Sequence, residues 1–112
     1  MLLNGGELDG KRYLSKETCR IFTTTVSKIS RRGLGFDKPA RNGQGGPCSE
    51  SAPASVYGHT GFTGTCAWVD PDNGLVYVFL SNRTYPNAWN NKLMQLDIRT
   101  RIQEAMYKAV KK

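Results

Sequence analysis

Two apolar segments joined by turn-forming residues constrain the fold of this chain most strongly. Hydropathy alternates from Thr65 to Val69, which is typical of a β-strand with one buried face. The apolar run from Leu75 to Leu80 predicts a second strand, buried on both faces. The residues between them, Asp-Pro-Asp-Asn-Gly, favour a reverse turn. The sequence therefore predicts an antiparallel β-hairpin.

Helical periodicity flanks this hairpin on both sides. Ser15 is the predicted N-cap of a first helix, with Glu17 in its first turn, and Gly33 follows its predicted end. Asp97 is the predicted N-cap of a last helix. The first helix is predicted to bury a stripe made of Cys19, Phe22, Val26 and Ile29. The last helix is predicted to bury a face made of Ile98, Ile102, Ala105, Ala109 and Val110.

The order of these elements predicts an α+β fold, in which an antiparallel β-hairpin or sheet packs against N-terminal and C-terminal helices. A length of 112 residues corresponds to a single domain, residues 1–112. A two-stranded hairpin alone is marginal, so the helices must cover it or further strands must complete it. Residues 37–55 contain almost no large apolar side chain, and we expect them to form a long, flexible loop.

The chain is basic, with 16 Lys and Arg against nine Asp and Glu, which gives a net charge of +7. Such a charge permits contact with nucleic acid or with anionic polymers. The basic residues are scattered, however, and no RNA-binding pattern of aromatic and basic residues is present. We therefore expect a solvated basic surface and no nucleic-acid partner. The longest apolar run is too short to span a bilayer, so no transmembrane segment is expected.

Cysteine and histidine content argues against a metal site. Cys19, Cys48 and Cys66 lack C-x-x-C spacing, and His59 is the single histidine. No cofactor is implied. At most one disulfide could form among the three cysteines, and the sequence does not select the pair. Cys19 and Cys66 lie in apolar patterns, which are typical of small buried side chains.

The segment Tyr57–Thr65, YGHTGFTGT, contains His59, three glycines and three threonines immediately before the predicted hairpin. Glycine weakens a strand unless another backbone or a ligand must approach closely. A lone histidine before a strand is usually a surface residue. The segment is therefore either a binding edge or a flexible connection that leads into a strand.

This segment resembles a motif of the serine β-lactamase-like hydrolases, which include class C β-lactamases, DD-peptidases and related esterases. Their third active-site motif is Lys-Thr-Gly or His-Thr-Gly on the strand that lines the cleft, and this chain has His59-Thr60-Gly61. Class C enzymes carry a similar Asn-Lys-Asn-Tyr-Pro-Asn run after the next strand, where this chain reads NRTYPN, residues 82–87.

The N-terminal residues LLNGGELDGKRYLSKET are similar to the segment that follows the helical subdomain in this family, so the resemblance covers nearly the whole chain. Among these proteins, the sequence is most similar to β-lactamase-like domains that follow a family 3 glycoside hydrolase domain. The resemblance implies that the chain is a fragment of the β-lactamase/transpeptidase-like fold.

The resemblance also implies roles for five residues. Phe62 N–H would donate a hydrogen bond to the oxyanion, and Gly61 would let substrate lie along the strand. His59, as the catalytic residue, and the Thr60 hydroxyl would hold a substrate carboxylate or assist proton transfer. Asn87 would lie near that carboxylate. Where many class C enzymes have arginine three residues further on, this chain has asparagine, so the usual carboxylate site is not expected.

The family's nucleophile motif, Ser-x-x-Lys, is absent from the sequence. Residues 25–28, Thr-Val-Ser-Lys, have the spacing but carry threonine in the serine position, and Tyr85-Pro86-Asn87 fits the family's Tyr-x-Asn motif only formally. Covalent acyl transfer requires an activated nucleophile. We therefore expect a C-terminal part of a hydrolase that is inactive alone. Its parent would act on a β-lactam, a peptidoglycan peptide or an ester in the periplasm or cell envelope.

Other interpretations remain open. The chain could be a non-catalytic binding module for cell-wall peptides or glycans. Asn87 could act only as a turn cap. Trp68 and Trp89 are better explained by packing than as platforms for sugar rings. Arg31 and Arg83 are interpreted as surface or helix-end charges.

Overall fold

A computed structural model describes residues 1–40 and 46–110 of the chain. After a short 3₁₀ turn at Leu2–Asn4, two small antiparallel sheets and three helices follow. Their bounds are β1 Glu7–Leu8, β2 Lys11–Arg12, α1 Lys16–Thr23, β3 Tyr57–Thr60, β4 Cys66–Asp70, β5 Leu75–Phe79, α2 Lys92–Gln95 and α3 Ile98–Val110. The α+β prediction is therefore confirmed.

The main sheet contains three strands in the order β3-β4-β5, and both pairs are antiparallel. The predicted hairpin corresponds to β4 and β5, which pair from Cys66 opposite Phe79 to Asp70 opposite Leu75. β3 adds a third strand, with Thr60 opposite Cys66. The segment that contains the histidine is thus itself an edge strand of the sheet.

One face of this sheet carries the core. Its buried cluster consists of Cys48, Val56, Cys66, Trp68 and Tyr77. Trp68 is 1% exposed, which confirms that it packs in the core. Because these side chains come from β4, from β5 and from the loop that leads into β3, the core fixes that loop against the hairpin.

Helix α3 covers this core through polar side chains, which differs from the prediction. Gln103 and Tyr107 are buried, whereas Ile102 and Val110 of the predicted apolar face are 40% and 56% exposed. The Tyr107 hydroxyl donates to Asp70 Oδ2 at 2.8 Å. Gln103 Oε1 accepts from a backbone N–H of the loop at 2.9 Å. Because these hydrogen bonds satisfy the polar groups, Gln103 and Tyr107 can be buried. Hydrogen bonding, rather than hydropathy, therefore determines which face of α3 packs on the core.

Helix α1 is shorter than predicted. Ser15 is the N-cap, as expected, and its Oγ accepts from Thr18 N–H at 2.9 Å. The helix ends at Thr23, where the hydroxyls of Thr23 and Thr24 donate to the Cys19 and Arg20 carbonyls at 2.8 Å each. Such bonds from β-branched residues compete with helix continuation.

The buried stripe predicted for this helix is consequently wrong beyond Cys19. Cys19 is buried, but the side chains of Phe22, Val26 and Ile29 are 43%, 53% and 98% exposed. Val26 and Ile29 lie after the end of the helix, so they do not share its inner face.

Strand β5 is buried on one face only, in contrast to the prediction. Tyr77 is buried, whereas Val76 and Val78 are 52% and 55% exposed. Side chains alternate between the two faces of a strand. In the described part of the chain, this face is open at β5, whereas at β3 Tyr57 on the same face is buried against Phe36.

Asp97 precedes α3, as predicted, but it contributes its backbone rather than its side chain. Its carbonyl oxygen accepts from Arg101 N–H at 3.1 Å and from the Thr100 hydroxyl at 2.9 Å. The short helix α2 before it was not predicted.

Both ends of the segment 37–55 contact the rest of the fold. Lys38 Nζ donates to Thr23 O at 3.0 Å and to Ser55 O at 2.9 Å. Ser49 is buried, and its hydroxyl donates to Glu104 at 2.7 Å. Residues 41–45 lie outside the described residues. The flexibility of this loop, like the single-domain organisation, stays a prediction.

All three cysteines are buried and unpaired in the structure, which confirms Cys19 and Cys66 as small buried side chains. The described part of the chain contains no cluster of three or more metal-ligating side chains. In that same part, none of the helices has the length and hydropathy needed to cross a membrane.

Candidate functional site

The candidate site is the free margin of β3. In an antiparallel ladder, the backbone groups of successive residues point alternately toward and away from the partner strand. Gly61 N–H donates to Thr65 O at 2.7 Å, on the side of β4. Gly58 N–H points the other way and donates to Asp37 O at 3.1 Å. The N–H and C=O of Thr60 therefore also point away from β4.

The peptide between Gly61 and Phe62 is held in one orientation. The Gly61 carbonyl accepts from Gly64 N–H at 3.0 Å, which closes a tight turn. The C=O and N–H of a trans peptide point in opposite directions, so Phe62 N–H points out of the turn. Within the described residues this N–H has no hydrogen-bond partner. We call the backbone from Thr60 to Phe62 on this side the open edge.

Two glycines allow the turn to form at this place. Gly64 has a φ of +93°, and a Cβ there would lie 2.6 Å from both the Leu93 side chain and Ser81 Oγ. A Cβ on Gly61 would overlap Thr65 Oγ1. Positive φ and close approach are the two situations in which glycine is required.

His59 lies on β3 with an exposed side chain. Its Nδ1 is 2.7 Å from Thr60 O. Because a carbonyl oxygen can only accept, this hydrogen bond places a proton on Nδ1 and leaves Nε2 of the neutral ring as an acceptor. An imidazole in this tautomer can take up a proton at Nε2.

Arg83 connects the turn after β3 to the loop between β5 and α2. Its Nε donates to Phe62 O at 2.8 Å, and its guanidinium lies 4.8 Å from the centre of the Phe62 ring. Its Nη1 donates to Ala88 O at 3.1 Å and to Asn90 O at 3.2 Å. The sequence predicted only a surface or helix-end charge here. The basic residue at this place of the class C run is the one sequence signal that could have drawn attention to Arg83.

Asn87 lies on this second loop, and its side chain is exposed. Its Oδ1 accepts from Trp89 N–H at 2.9 Å, so the amide caps a turn. Arg83 links this loop to Phe62, but no hydrogen bond joins Asn87 to β3 in the described part of the chain. The roles assigned to His59, Thr60, Gly61, Phe62 and Asn87 stay predictions.

The two hydroxyls of residues 25–28, the segment that has the spacing of the nucleophile motif, form local hydrogen bonds. The Thr25 hydroxyl donates to Arg31 O at 2.9 Å, and Ser27 Oγ accepts from the Ile29 and Ser30 amides. Burial, reinforced by the nearby Asp37 carboxylate, raises the pKa of Cys48 to about 12. Since the thiolate is the nucleophilic form, Cys48 is unreactive at neutral pH.

A groove of about 470 Å³ lies on another side of the molecule. It is formed by residues between 46 and 50 and by α3, and it includes Glu104 and Lys108. It contains none of the five predicted site residues. The open edge lies outside this groove and offers a ligand the hydrogen-bonding groups of the strand and of the adjoining turn.

Comparisons with known proteins found a family model and curated relatives that match the chain. The family model named Beta-lactamase matches residues 1–97. A protein named "Putative D-alanyl-D-alanine carboxypeptidase" from Escherichia coli O157:H7 is 34% identical over 84 residues, which are 75% of this chain and 19% of that protein. Its namesake from Escherichia coli K12 is 33% identical over the same lengths. One from Salmonella gallinarum is 30% identical over 93 residues, 83% of this chain and 22% of that protein. The chain thus spans about a fifth of the length of these relatives.

Proposed function

The chain belongs to the beta-lactamase family, and from this premise we propose that it is the C-terminal part of a serine hydrolase. It supplies one wall of the active site, and the segment that carries the nucleophile lies in the rest of that hydrolase. The reaction is acyl transfer, the cleavage of an amide or ester through an acyl-serine. The chain alone, which lacks Ser-x-x-Lys, is inactive.

The outward-pointing N–H of Phe62 carries this proposal. When a serine oxygen attacks a carbonyl carbon, the C=O electron pair moves onto oxygen, and that oxyanion needs preorganised donors. Phe62 N–H is a fixed donor without a partner in the described chain. The N–H of the serine itself is the second donor. The leaving amine or alcohol takes the proton that the serine gave up, and His59 Nε2 is suited to assist that transfer.

The uncovered face of the main sheet supports the proposal that a larger domain completes the fold. Val76, Val78 and Leu80 expose 52%, 55% and 79% of their surface next to the site. Contiguous exposed apolar side chains mark interaction surfaces. The relatives are about four times as long as this chain. The partner that fits this face is the remaining N-terminal part of the hydrolase.

The substrate is a β-lactam, a cell-wall peptide or an ester. The name of the relatives favours a peptide that ends in D-alanyl-D-alanine. Asp37 covers β3 at Gly58, which leaves the N–H groups of Thr60 and Phe62 on this margin for a substrate strand. A short peptide end fits this length. We place the hydrolase in the periplasm or cell envelope, where it follows a family 3 glycoside hydrolase domain.

A test of the proposal joins this chain to the preceding coding region. The longer protein is expected to hydrolyse nitrocefin or a p-nitrophenyl ester, and the isolated chain is expected to show no turnover above buffer. His59→Ala in the longer protein should lower kcat, whereas Arg101→Gln on the exposed side of α3 should not. Turnover by the isolated chain that His59→Ala abolishes would overturn the proposal, as would the absence of Ser-x-x-Lys upstream.

A binding module is the second candidate, because one aromatic ring of the turn after β3 and one of the loop between β5 and α2 are exposed. Phe62 and Trp89 are 75% and 86% exposed. Aromatic rings in such positions can stack on sugar or planar groups. This candidate predicts saturable binding of muropeptides by the chain alone, and flat titrations would remove it.

A further inference from the structure

We propose that Arg83 is the positioning residue of this site, because it fixes the turn that aims Phe62 N–H. The effect of Arg83 on catalysis rests on the proposed function. The geometry that it invokes can be measured on the chain itself, without any activity.

The turn at the end of β3 needs an external support. Gly61 and Gly64 flank its two central residues, and glycine has the largest backbone freedom of any residue. The turn lies at the surface, with Phe62 75% exposed, so packing against a core does not hold it. A loose turn would let the peptide that carries the Phe62 N–H rotate away from the substrate.

Arg83 supplies that support through two consecutive carbonyl groups. Its Nε donates to Phe62 O at 2.8 Å, and its backbone N–H donates to Thr63 O at 2.9 Å. Ser81 Oγ donates to the same Thr63 oxygen at 3.0 Å. With the Gly61 carbonyl already bonded to Gly64, all three peptides of the turn are held by their oxygens. Each N–H therefore keeps a fixed direction.

The other edge of the guanidinium anchors this clamp to the second loop. Nη1 donates to Ala88 O at 3.1 Å, to Asn90 O at 3.2 Å and to Asn91 Oδ1 at 3.4 Å. Asn90 occupies the position where many class C enzymes have arginine. Although residue 90 itself is asparagine, the guanidinium of Arg83 is hydrogen-bonded to the backbone of that residue.

The planar shape of arginine is essential to this role. A guanidinium presents five donors in a rigid fork, so it can bond to two loops at once while its face stacks on an aromatic ring. A lysine ammonium is a compact group on a flexible stem and cannot reproduce both sides of the contact. In the described chain, Arg83 is not among the residues that form ion pairs with a carboxylate. Its bonds go to backbone oxygens and one amide, which is the pattern of a structural clamp.

The first experiment measures backbone order in the chain by ¹⁵N relaxation. In the wild type, we expect order parameters of about 0.85 for the amides of Phe62 and Thr63 and of Ala88 to Asn91, the value of rigid backbone. Arg83→Gln should lower them below about 0.6 on both sides of the clamp. Arg83→Lys keeps the charge and should loosen one side only. Arg101→Gln is the matched control that removes a surface charge of α3, and it should change neither side.

Each outcome of this experiment decides the proposal. Low order parameters in the wild type, or unchanged values in both Arg83 variants, would overturn it. If Arg83→Gln does not fold, as judged by the near-ultraviolet circular dichroism of the buried Trp68 and Tyr77, the lysine variant decides alone.

The second experiment measures kinetics in the longer hydrolase. A misplaced oxyanion donor weakens binding of the transition state but not of the substrate, so kcat should fall on the order of 10-fold to 100-fold while KM stays within about 2-fold. A merely structural role would lower the amount of folded enzyme and leave both constants of the active fraction unchanged. If the wild-type enzyme is active and Arg83→Gln equals Arg101→Gln, the positioning role is excluded and the proposed function stands. If the wild-type enzyme is inactive, the proposed function fails, and the relaxation data still decide whether Arg83 fixes the turn.

Discussion

At the scale of single residues, backbone direction matters more in this site than side-chain chemistry. The two groups to which we assign a role are the outward-pointing N–H of Phe62 and the Nε2 acceptor of His59. Both depend on a neighbouring carbonyl, that of Gly61 in the first case and that of Thr60 in the second. Small changes of conformation in four residues therefore decide whether the edge can act on a carbonyl substrate.

Substituting Gly64 tests how tightly the turn is built. Gly64→Ala combines a φ of +93° with a Cβ 2.6 Å from Leu93 and Ser81, so we expect a loss of about 2–4 kcal/mol in the free energy of unfolding. Gly74→Ala is the matched control, because Gly74 has a φ of +62° but no atom within 4 Å of its Cβ. Gly74→Ala should lower the free energy of unfolding by about 1 kcal/mol. Urea unfolding of both variants measures the difference, and equal losses would show that the turn can relax.

At the scale of elements, the fold depends on hydrogen bonds between α3 and the turn of the hairpin. Asp70 accepts from Tyr107, from Asn73 and from two backbone amides. Burial alone would raise the pKa of Asp70, but the hydrogen bonds from Asn73, Tyr107 and the backbone outweigh it and lower that pKa. Tyr107→Phe should therefore reduce the free energy of unfolding by about 1–3 kcal/mol at pH 7, since it removes a donor from a buried carboxylate.

The pH dependence of stability follows from the same contact. A carboxylate whose pKa is lower in the folded state stabilises the fold above its unfolded pKa of about 3.9, and this contribution is lost as pH falls through the folded pKa. The difference between wild type and Tyr107→Phe should shrink below about pH 4. Burial and the hydrogen bond to Asp70 raise the pKa of Tyr107, so the wild type should also lose stability above about pH 10. Urea unfolding across pH checks both limits, and a constant difference down to pH 2 would contradict the first.

Local chemistry predicted the elements, and distant contacts decided their extent and orientation. The turn residues after Asp70 and the Ser15 cap act within a few positions, so the sequence was sufficient to locate them. The packed face of α3 depends on Tyr107 and Asp70, which are 37 residues apart. The end of α1 depends on threonine hydroxyls that compete with the helix. The family motif identified β3 as a candidate site, whereas the contacts of Arg83 join loops whose proximity no local pattern indicates.

At the scale of the whole molecule, the chain presents the features of an incomplete domain. Its sheet has a core on one face and exposed valines on the other. The single-domain prediction concerns 112 residues, whereas the relatives are about four times as long. The face that is covered keeps the fragment folded, and the uncovered face is the surface that we assign to the remaining hydrolase.

Charged substitutions on the uncovered face test this assignment. Val76→Lys and Val78→Lys together should change the free energy of unfolding of the chain by less than about 0.5 kcal/mol, because both side chains are exposed. The same pair should destabilise or prevent folding of the longer hydrolase, where two charges would be buried without partners. Tyr77 lies on the opposite, buried face of β5, so Tyr77→Ala should lower the free energy of unfolding by about 3–5 kcal/mol in both the chain and the longer hydrolase. Thermal unfolding of both proteins measures these effects, and a longer hydrolase that tolerates both lysines would contradict the assignment.

The bridge between Asp37 and Gly58 has a further consequence for the behaviour of the chain in solution. An unpaired edge strand can form hydrogen bonds with the same edge of other molecules and so nucleate fibres. Asp37 occupies part of that margin, and its carboxylate is held by Arg31 at 2.8 Å and approached by Arg32 at 3.8 Å. Because Arg31 and Arg32 lie beside the strand, the same two arginines of a second molecule would be repelled there. We therefore expect the bridge that shortens the open edge to oppose aggregation of the molecule as well.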